Sequence, residues 1–347
     1  MAVSLVTGGS GFIGLHLVNL LLEKGHNVHT TVRSFKDIAK CQPLLDLQSK
    51  YPGKLSIFEA NLMKDGSFTQ AMQGCTVIYH VASPFLVPQQ IKDGVKDCVE
   101  PALQGTRNVL ESVNHCDSVH RVVLTSSIAA MYGDCIKVAS QKNSTLTESS
   151  WNGTSSATNN PYHYSKVIAE REAWKMQQAQ NRWDLVVINP GLVLGPSLSP
   201  ESSSGSLFMV ESMYRGDNKM GCPELYFPIV DVRDVAEAHV RAGANPAAKG
   251  RYIVAGAQAI GLLEMAYLVR PIHRNPKVLP RRNLPKLLVY AIGPFIGVSM
   301  KRIAGNIGVR FNVDNSRSVR ELGMSYRVAD EVIKDHYEAW LKNKEGR

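Results

Sequence analysis

The sequence predicts an α/β protein, a doubly wound parallel sheet with a smaller C-terminal lobe. Three observations favour this class: a glycine-rich turn follows the first apolar run, apolar runs alternate with helical patterns through the first half, and Pro and Ser/Gly clusters follow Pro190. With 347 residues, 44% of them hydrophobic, the chain can bury a large core. Strand-like runs occupy residues 3–7, 28–32, 55–59, 76–81, 120–126 and 184–189. Their alternation with helical segments predicts helices on both faces of the sheet.

The glycine-rich turn is the segment Thr7–Gly14, TGGSGFIG, which joins the first strand-like run to an apolar helical pattern. Glycine has no Cβ, so the backbone can turn sharply and approach a pyrophosphate, while the helix N-terminus supplies N–H groups and a positive dipole. The next strand-like run comes after the helix closes at Gly25. Because strand, turn and helix occur in this order, the segment predicts a Rossmann-type dinucleotide-binding turn rather than a purely structural one.

The composition limits the expected partners and compartment. The formal net charge is +9, but no Lys/Arg block with interleaved aromatic residues occurs, so we do not expect nucleic-acid binding. The six cysteines are scattered without C-x-x-C spacing, which favours free thiols in a reducing compartment over a zinc site or a disulfide framework. A strand-like run begins almost at Met1 and leaves no room for a signal peptide. We therefore expect a cytoplasmic protein that holds no metal.

We expect two domains. The nucleotide-binding domain takes residues 1–190 and about 227–256, and the substrate-binding lobe takes 191–226 and 257–347. The range 139–160, rich in Ser, Thr, Asn and Gly, predicts an irregular surface loop. The apolar stretch 287–298 is shorter than the roughly 20 residues that span a bilayer, so it predicts a buried or cavity-lining helix. Its basic flanks leave contact with a membrane surface open, and the sequence does not decide between a monomer and a homodimer.

A serine pair and a Tyr-x-x-x-Lys pattern indicate the expected chemistry. The fifth strand-like run ends in Ser126 and Ser127, and Tyr162 and Lys166 follow Pro161, which favours helix initiation. On a helix Tyr162 and Lys166 lie on one face, about 5–6 Å apart at Cβ. A nearby ammonium favours the phenolate, so we expect Lys166 to lower the pKa of Tyr162 from about 10. Tyr162 then exchanges a proton with a carbonyl or alcohol oxygen that Ser127 holds.

Together with Asn189-Pro190-Gly191 and the segment 231–236, DVRDVA, these motifs resemble the extended short-chain dehydrogenases/reductases. Within that family the chain is most similar to the branch of dihydroflavonol reductases, cinnamoyl-CoA reductases and fungal methylglyoxal or ketone/aldehyde reductases. The resemblance extends over nearly the whole chain and implies that Ser127, Tyr162 and Lys166 are the catalytic residues. It also implies that Asn108 supports a water-linked proton relay. We expect the DVRD segment to cap a helix rather than to contact the substrate.

The end of the second strand-like run indicates the cofactor. An acidic residue there would bind the ribose hydroxyls of NAD, but this run ends in Val32-Arg33-Ser34. Arg33 is suited to bind a 2′-phosphate through two hydrogen bonds, so the sequence predicts NADPH/NADP+. The resemblance implies Lys40 as the partner of Arg33, with Lys36 as the alternative. After the third run Asn61 stands where the family usually has Asp, and its amide can still hydrogen-bond an adenine amino group.

The ends of parallel strands supply the remaining expected cofactor contacts, because ligands bind at that edge of such sheets. The full expected set is Gly8, Gly11, Phe12, Ile13, Gly14, Arg33, Lys40, Asn61, Leu62, Val81, Ala82, Ser83, Tyr162, Lys166, Pro190, Gly191 and Val193. The substrate is expected to contact residues in 83–90, 128–135, 192–225 and 260–305. The apolar segment 83–88 and Met131-Tyr132 favour an aromatic or aliphatic carbonyl compound.

The leading hypothesis is an NADPH-dependent reductase that converts an aldehyde or ketone into an alcohol. A sugar-nucleotide epimerase or dehydratase shares the glycine turn and the Tyr/Lys pair, but it uses NAD and favours an acidic residue in place of Arg33. A steroid or sterol dehydrogenase remains open because of the apolar stretch 287–298. A protein that senses NADP(H) without chemistry is the alternative from a different class, and it would not need Ser127, Tyr162 and Lys166 together.

Overall fold

A computed structural model of the protein describes residues 3–84, 91–202, 204–296 and 299–345. In these ranges the strands are β1 (Val3–Thr7), β2 (Asn27–Val32), β3 (Leu55–Glu59), β4 (Cys75–His80), β5 (Arg121–Thr125), β6 (Thr145–Leu146), β7 (Asp184–Pro190), β8 (Leu192–Leu194), β9 (Tyr226–Asp231), β10 (Gly250–Val254), β11 (Ala259–Gly261) and β12 (Asn312–Val313). The α-helices are α1 (Phe12–Glu23), α2 (Ile38–Lys50), α3 (Thr69–Met72), α4 (Glu100–Asn114), α5 (Cys135–Ala139), α6 (Pro161–Gln178), α7 (Gly205–Arg215), α8 (Val232–Ala244), α9 (Leu262–Val269), α10 (Lys286–Ile292), α11 (Met300–Asn306), α12 (Ser316–Leu322) and α13 (Ala329–Glu345).

The main sheet has seven parallel strands in the order β3-β2-β1-β4-β5-β7-β10. This order confirms the doubly wound, Rossmann-type sheet that the sequence predicts. The direction of winding reverses between β1 and β4, so the carboxyl ends of these two strands border the crevice in which such sheets bind ligands. Thr7 and His80 are the last residues of the two strands.

Helices cover both faces of this sheet. On one face α1 and α8 pack together and against the sheet, and on the other α4 and α6 do so. The central strands are therefore buried on both faces, and they read as continuous apolar runs such as Leu5-Val6 in β1 and Val122-Val123 in β5. The side chain of Asp231 accepts a hydrogen bond from Arg233 N at 2.8 Å and caps α8, as the DVRD pattern predicts.

The outer edge of β10 is closed by side chains from distant parts of the chain. Arg317 of α12 donates to the carbonyl oxygens of Lys249 and Arg251 at 2.6 and 2.8 Å. Ile253 N donates to the Glu148 carboxylate at 3.2 Å. These bonds use backbone N–H and C=O groups that an edge strand would otherwise leave unpaired. Another strand therefore cannot pair with this edge of the sheet.

The second lobe contains a small sheet, β11-β9-β8, packed against α7, α9 and α13. The strand β9 lies mostly inside the range 227–256 that the sequence assigns to the nucleotide-binding domain, yet it pairs with β8 and β11 of this small sheet. By contrast α8 and β10, in the same range, belong to the main sheet and its cover. The domain boundary therefore stays a prediction. The strand β9, assigned to the nucleotide-binding domain, pairs with strands assigned to the substrate-binding lobe.

One segment differs in part from the sequence-based expectation, and a second agrees with one of two expected arrangements. The range 139–160 is largely irregular but not wholly at the surface: Asn152 is buried and donates to Ala129 O at 2.9 Å, because the loop packs on the turn after β5. In the apolar stretch 287–298, of which residues 297 and 298 lie outside the described residues, α10 buries none of its residues but lines the central cavity, which is one of the two arrangements that the sequence predicts.

Candidate active site

The glycine turn between β1 and α1 leaves no room for larger residues. Gly8 has φ +71°, and a Cβ there would lie 3.0 Å from Ala82 Cα. A Cβ on Gly14 would lie 2.2 Å from the carbonyl oxygen of Gly8. The turn is therefore pressed both against the end of β4 and against the first turn of α1, and the small residues leave a cradle at the N-terminus of that helix.

Thr7 holds the two strand ends together. Its hydroxyl oxygen accepts hydrogen bonds from Val81 N and Ala82 N at 3.1 and 3.0 Å. The hydroxyl proton is left for His80 Nδ1, 3.0 Å away. The chain after β4 is thus fixed beside the glycine turn, which explains why Val81 and Ala82, predicted as cofactor contacts, border the same space as Gly8.

One cavity of about 1890 Å³ extends from this turn into the second lobe. Every expected cofactor contact lines it: Gly8, Gly11, Phe12, Ile13, Gly14, Arg33, Lys40, Asn61, Leu62, Val81, Ala82, Ser83, Tyr162, Lys166, Pro190, Gly191 and Val193. Ser127 lines the cavity too. The structure thus brings these residues together, while their individual roles remain predictions. Of the expected substrate contacts, residues 85–90, 203, 297 and 298 lie outside the described residues.

At the end of β2 the cavity lining is basic. Arg33 is exposed on this lining, which also includes Lys40 and Asp37, and the Lys40 ammonium lies 3.3 Å from the Asp37 carboxylate. Lys36 is not part of the lining, which favours Lys40 over Lys36 as the second cation. The Glu59 carboxylate accepts a hydrogen bond from Phe35 N at 2.9 Å and so fixes the chain just after Arg33.

Asn61 and Leu62 form a tight turn after β3. Asn61 Oδ1 accepts from Met63 N at 2.9 Å, so one lone pair of the oxygen expected to meet adenine is already in use. Asn108 is buried and donates through Nδ2 to Leu62 O at 2.7 Å. It is not part of the cavity lining, and its part in a proton relay with Ser127, Tyr162 and Lys166 stays a prediction. The observed contact makes Asn108 a support of the turn that carries Leu62.

The two serines after β5 point to different partners. Ser126 is buried and donates to the Glu170 carboxylate at 2.6 Å. Ser127 Oγ accepts from Ala129 N at 3.1 Å, which leaves its hydroxyl proton available to a ligand in the cavity. The carbonyl oxygen of Ser127 accepts from Asn189 Nδ2 at 3.1 Å. This difference supports Ser127 over Ser126 as the serine that meets a substrate.

Tyr162 and Lys166 lie on the same face of α6, as their spacing predicts. Lys166 Nζ is 5.8 Å from the centre of the Tyr162 ring and donates to Ser83 Oγ at 3.0 Å. Burial lowers the pKa of Lys166 to about 8, opposed by the Glu170 carboxylate. Tyr162 is 39% exposed because its side chain borders the cavity.

The pKa of Tyr162 moves in the direction opposite to the sequence-based expectation. Desolvation raises it to about 12, and Cys98 adds a smaller contribution in the same direction. The Lys166 ammonium lies over the ring, hydrogen-bonds Ser83 Oγ, and does not offset the desolvation. Tyr162 therefore keeps its proton at neutral pH, as a proton donor requires.

A buried ion pair fixes α6 to the main sheet. Glu170, fully buried, lies 2.6 Å from Arg251 Nε of β10. The same carboxylate accepts from Ser126 and, at 2.9 Å, from Asn189 Nδ2 of β7. Glu170 follows Lys166 by one helical turn, so this network sets the position of the helix that carries Tyr162 and Lys166.

Sequence reasoning expected residues 260–305 to contact the substrate, a range that holds most of α11, and it left out Asn306 of the helix residues that line the cavity. Arg302, Ile303 and Asn306 of α11 line it, together with Leu288, Val289 and Ile292 of α10. The helical spacing of positions 302 and 306 was the available signal, but nothing in the sequence shows which element α11 packs against.

Among the described residues, no helix has the length and apolar character needed to cross a bilayer.

Comparisons with known proteins agree with this geometry. The profile of the NAD dependent epimerase/dehydratase family matches residues 4–256. A cinnamoyl-CoA reductase from Medicago truncatula is 37% identical over 250 residues, which are 71% of this chain and 74% of that protein. Tetraketide alpha-pyrone reductase 2 from Arabidopsis thaliana is 37% identical over 75% of this chain and 79% of its own length.

A solved structure resembles the whole chain. The yeast methylglyoxal/isovaleraldehyde reductase, crystallised in complex with NADPH, superposes with a TM-score of 0.81 at 28% identity, covering 99% of both chains. The sequence match covers the glycine turn, the serine pair and the Tyr/Lys pair, which the structure collects around one cavity. On these grounds the chain belongs to the NAD dependent epimerase/dehydratase family, and its resemblance to the extended short-chain dehydrogenases/reductases is confirmed.

Proposed function

We propose that the protein is an NADPH-dependent carbonyl reductase that converts an apolar or aromatic aldehyde or ketone into an alcohol. The observation that carries the proposal is the shared cavity, which Ser127, Tyr162 and Lys166 line together with the glycine turn and with apolar residues of the second lobe. The similarity to reductases, one of them crystallised with NADPH, supports the same class.

The residues at one end of the cavity suit a phosphorylated dinucleotide. The glycine turn, in which a Cβ on Gly8 or Gly14 would collide with Ala82 or with Gly8 itself, borders the cavity at the N-terminus of α1, where a pyrophosphate would bind. Arg33 and Lys40 would bind a 2′-phosphate, and no acidic residue follows β2 directly to bind the free ribose hydroxyls of NAD instead. Lys166 would bind the nicotinamide ribose. NADPH, when bound, supplies a hydride for the carbonyl carbon.

Ser127 and Tyr162 act on the oxygen atom of the substrate carbonyl. The Ser127 hydroxyl donates a hydrogen bond to the carbonyl oxygen and polarises it. As the new C–H bond forms, the π electrons of the carbonyl move onto that oxygen, which takes the proton of the Tyr162 hydroxyl. Water then returns a proton to the tyrosinate, so the balance is one alcohol and one NADP+ for each carbonyl compound, NADPH and proton.

Tyr162→Phe tests this function, with Tyr164→Phe on the same helix as the matched control. Loss of the proton donor is expected to lower kcat about 100-fold or more with NADPH affinity retained, since general acids contribute about 10²–10⁴-fold. Turnover is followed as NADPH oxidation over aldehydes, ketones, CoA thioesters and sugar nucleotides, which also separates a reductase from an epimerase. A folded Tyr162→Phe enzyme with near wild-type turnover would refute the proposal.

A further inference from the structure

Arg302 occupies a fixed place in the cavity wall. Its helix, α11, is held on the chain before α5: Asn306 Nδ2 donates to the Asp134 carboxylate at 3.2 Å and Asn306 Oδ1 accepts from Cys135 N at 3.1 Å. A Cβ on Gly305 would lie 3.1 Å from Asp134, so the two segments pack closely. Arg302 precedes Asn306 by one helical turn on the same face, and both line the cavity.

Most other charged groups on this lining already have partners. Lys40 lies beside Asp37, Asp217 lies 3.6 Å from Arg215, and Lys166 donates to Ser83. Among the described residues, the Arg302 guanidinium has no hydrogen bond and no carboxylate within 4.0 Å. The Asp134 carboxylate acts on it only from a longer distance and is held by Asn306.

The surroundings of Arg302 are those of a cleft rather than an open surface. The side chain is solvent-accessible, yet burial lowers its pKa from the ordinary value. Its charge also contributes, after burial, to the lowered pKa of His163, the residue next to Tyr162. A guanidinium that lines a cavity without a carboxylate partner is suited to bind an oxyanion through charge-assisted hydrogen bonds.

We propose that Arg302 binds an oxyanion, a carboxylate or a phosphate, on the carbonyl substrate. The inference rests on the proposed reductase function and narrows its substrate class. The substrate would carry its reacting carbonyl near Tyr162, an apolar body along Leu288, Val289 and Ile292, and one anionic group at Arg302.

Two matched substrate pairs test the inference. The first pair is 4-formylbenzoate and its methyl ester, which differ in the carboxylate. The second is cinnamoyl-CoA and the neutral N-acetylcysteamine thioester of cinnamic acid, which differ in the phosphates. For each pair the ratio of kcat/KM, anionic over neutral, is measured for wild type, Arg302→Gln, Arg302→Lys and Lys301→Gln. Lys301 is the adjacent cation and does not line the cavity.

Arg302→Gln is expected to lower the ratio for one pair about tenfold or more, while Arg302→Lys retains most of it, because lysine keeps the positive charge that binds the oxyanion. The affected pair identifies the oxyanion as carboxylate or phosphate. Lys301→Gln should leave both ratios within about twofold. If Arg302→Gln leaves both ratios unchanged, even with kcat/KM lowered equally for the anionic and neutral members, Arg302 has no such role.

The same variants separate this inference from the proposed function. If wild-type enzyme reduces none of the four compounds, the reductase assignment fails for these classes. Binding of 4-formylbenzoate and of cinnamoyl-CoA to the NADP+-loaded protein is then measured by calorimetry. Weaker binding of either compound to Arg302→Gln than to wild type and Lys301→Gln supports the anion site, and equal binding of both overturns it.

Discussion

Arg33 stands exposed on the cavity lining where an acidic residue would select NAD. A guanidinium there binds the 2′-phosphate of NADPH and interacts only weakly with the free 2′-hydroxyl of NADH. Arg33→Ala is therefore expected to weaken NADPH binding about tenfold or more and to change NADH binding little, since charge-assisted hydrogen bonds contribute about 1.5–3 kcal/mol. Fluorescence titration of both cofactors measures this, and NADH serves as the internal control.

Two results would contradict the role of Arg33. One is a wild-type protein that binds NADH as tightly as NADPH. The other is a Lys36→Ala variant that loses more NADPH affinity than Arg33→Ala, which would move the phosphate site to the residue that the cavity lining omits.

At the scale of single residues, the sequence predicts which side chains share a helix face better than it predicts what surrounds each side chain. The spacing of Tyr162 and Lys166 determines that they share a helix face, so this part of the site was predictable. The pKa of Tyr162 was predicted in the wrong direction, because desolvation depends on the lobe and loops that surround the ring. Asn108 likewise lies on the expected helix, but its partner, Leu62 O, comes from a distant turn.

The helix α6 depends on the Glu170–Arg251 pair for its position on the sheet. Removing one charge from a buried pair leaves the other unpaired, which costs about 3–5 kcal/mol. Glu170→Ala is therefore expected to lower the free energy of unfolding by about that amount, measured in urea. Glu172→Ala on the same helix breaks the partly exposed pair with Arg107 and should lower it by about 1 kcal/mol or less. Equal effects of the two variants would show that burial of the Glu170 pair does not matter.

At the scale of elements, the main sheet was predictable and the small sheet was not. Strands buried on both faces appear as uninterrupted apolar runs, and all six predicted runs coincide with β1, β2, β3, β4, β5 and β7. The short strands β8 and β11 have only three residues each, too few for a periodic signal, and their pairing with β9 depends on long-range packing. The position of α11 was not predictable either, because its packing beside Asp134 depends on long-range contacts of Gly305 and Asn306.

For the whole molecule, buried histidines predict a loss of stability in mild acid. His80, His239 and His336 are at most 2% exposed, and burial lowers their pKa values to about 3, 4 and 4. In the unfolded chain each titrates near 6.5, so below that pH the unfolded state binds protons that the folded state does not. The free energy of unfolding therefore falls as the pH falls from about 6.5 towards 4.

Urea unfolding at pH 7.5 and 5.5 measures this loss. Each of the three histidines is expected to contribute about 1 kcal/mol to the difference. His336→Gln keeps a donor for Gly195 O and should reduce the difference by about 1 kcal/mol. His115→Gln, at an exposed site, should leave it unchanged. Equal free energies at the two pH values in wild type would contradict the prediction.

The closed edge of β10 also bears on how the protein is made. Arg317, which covers the Lys249 and Arg251 carbonyl groups, is translated long after β10 itself. A nascent chain that has completed the seven strands of the main sheet still presents an open edge to its neighbours on a polysome. Chains that end before Arg317 therefore leave the Lys249 and Arg251 carbonyl groups without these hydrogen bonds, and we expect them to aggregate by strand pairing more readily than the full chain.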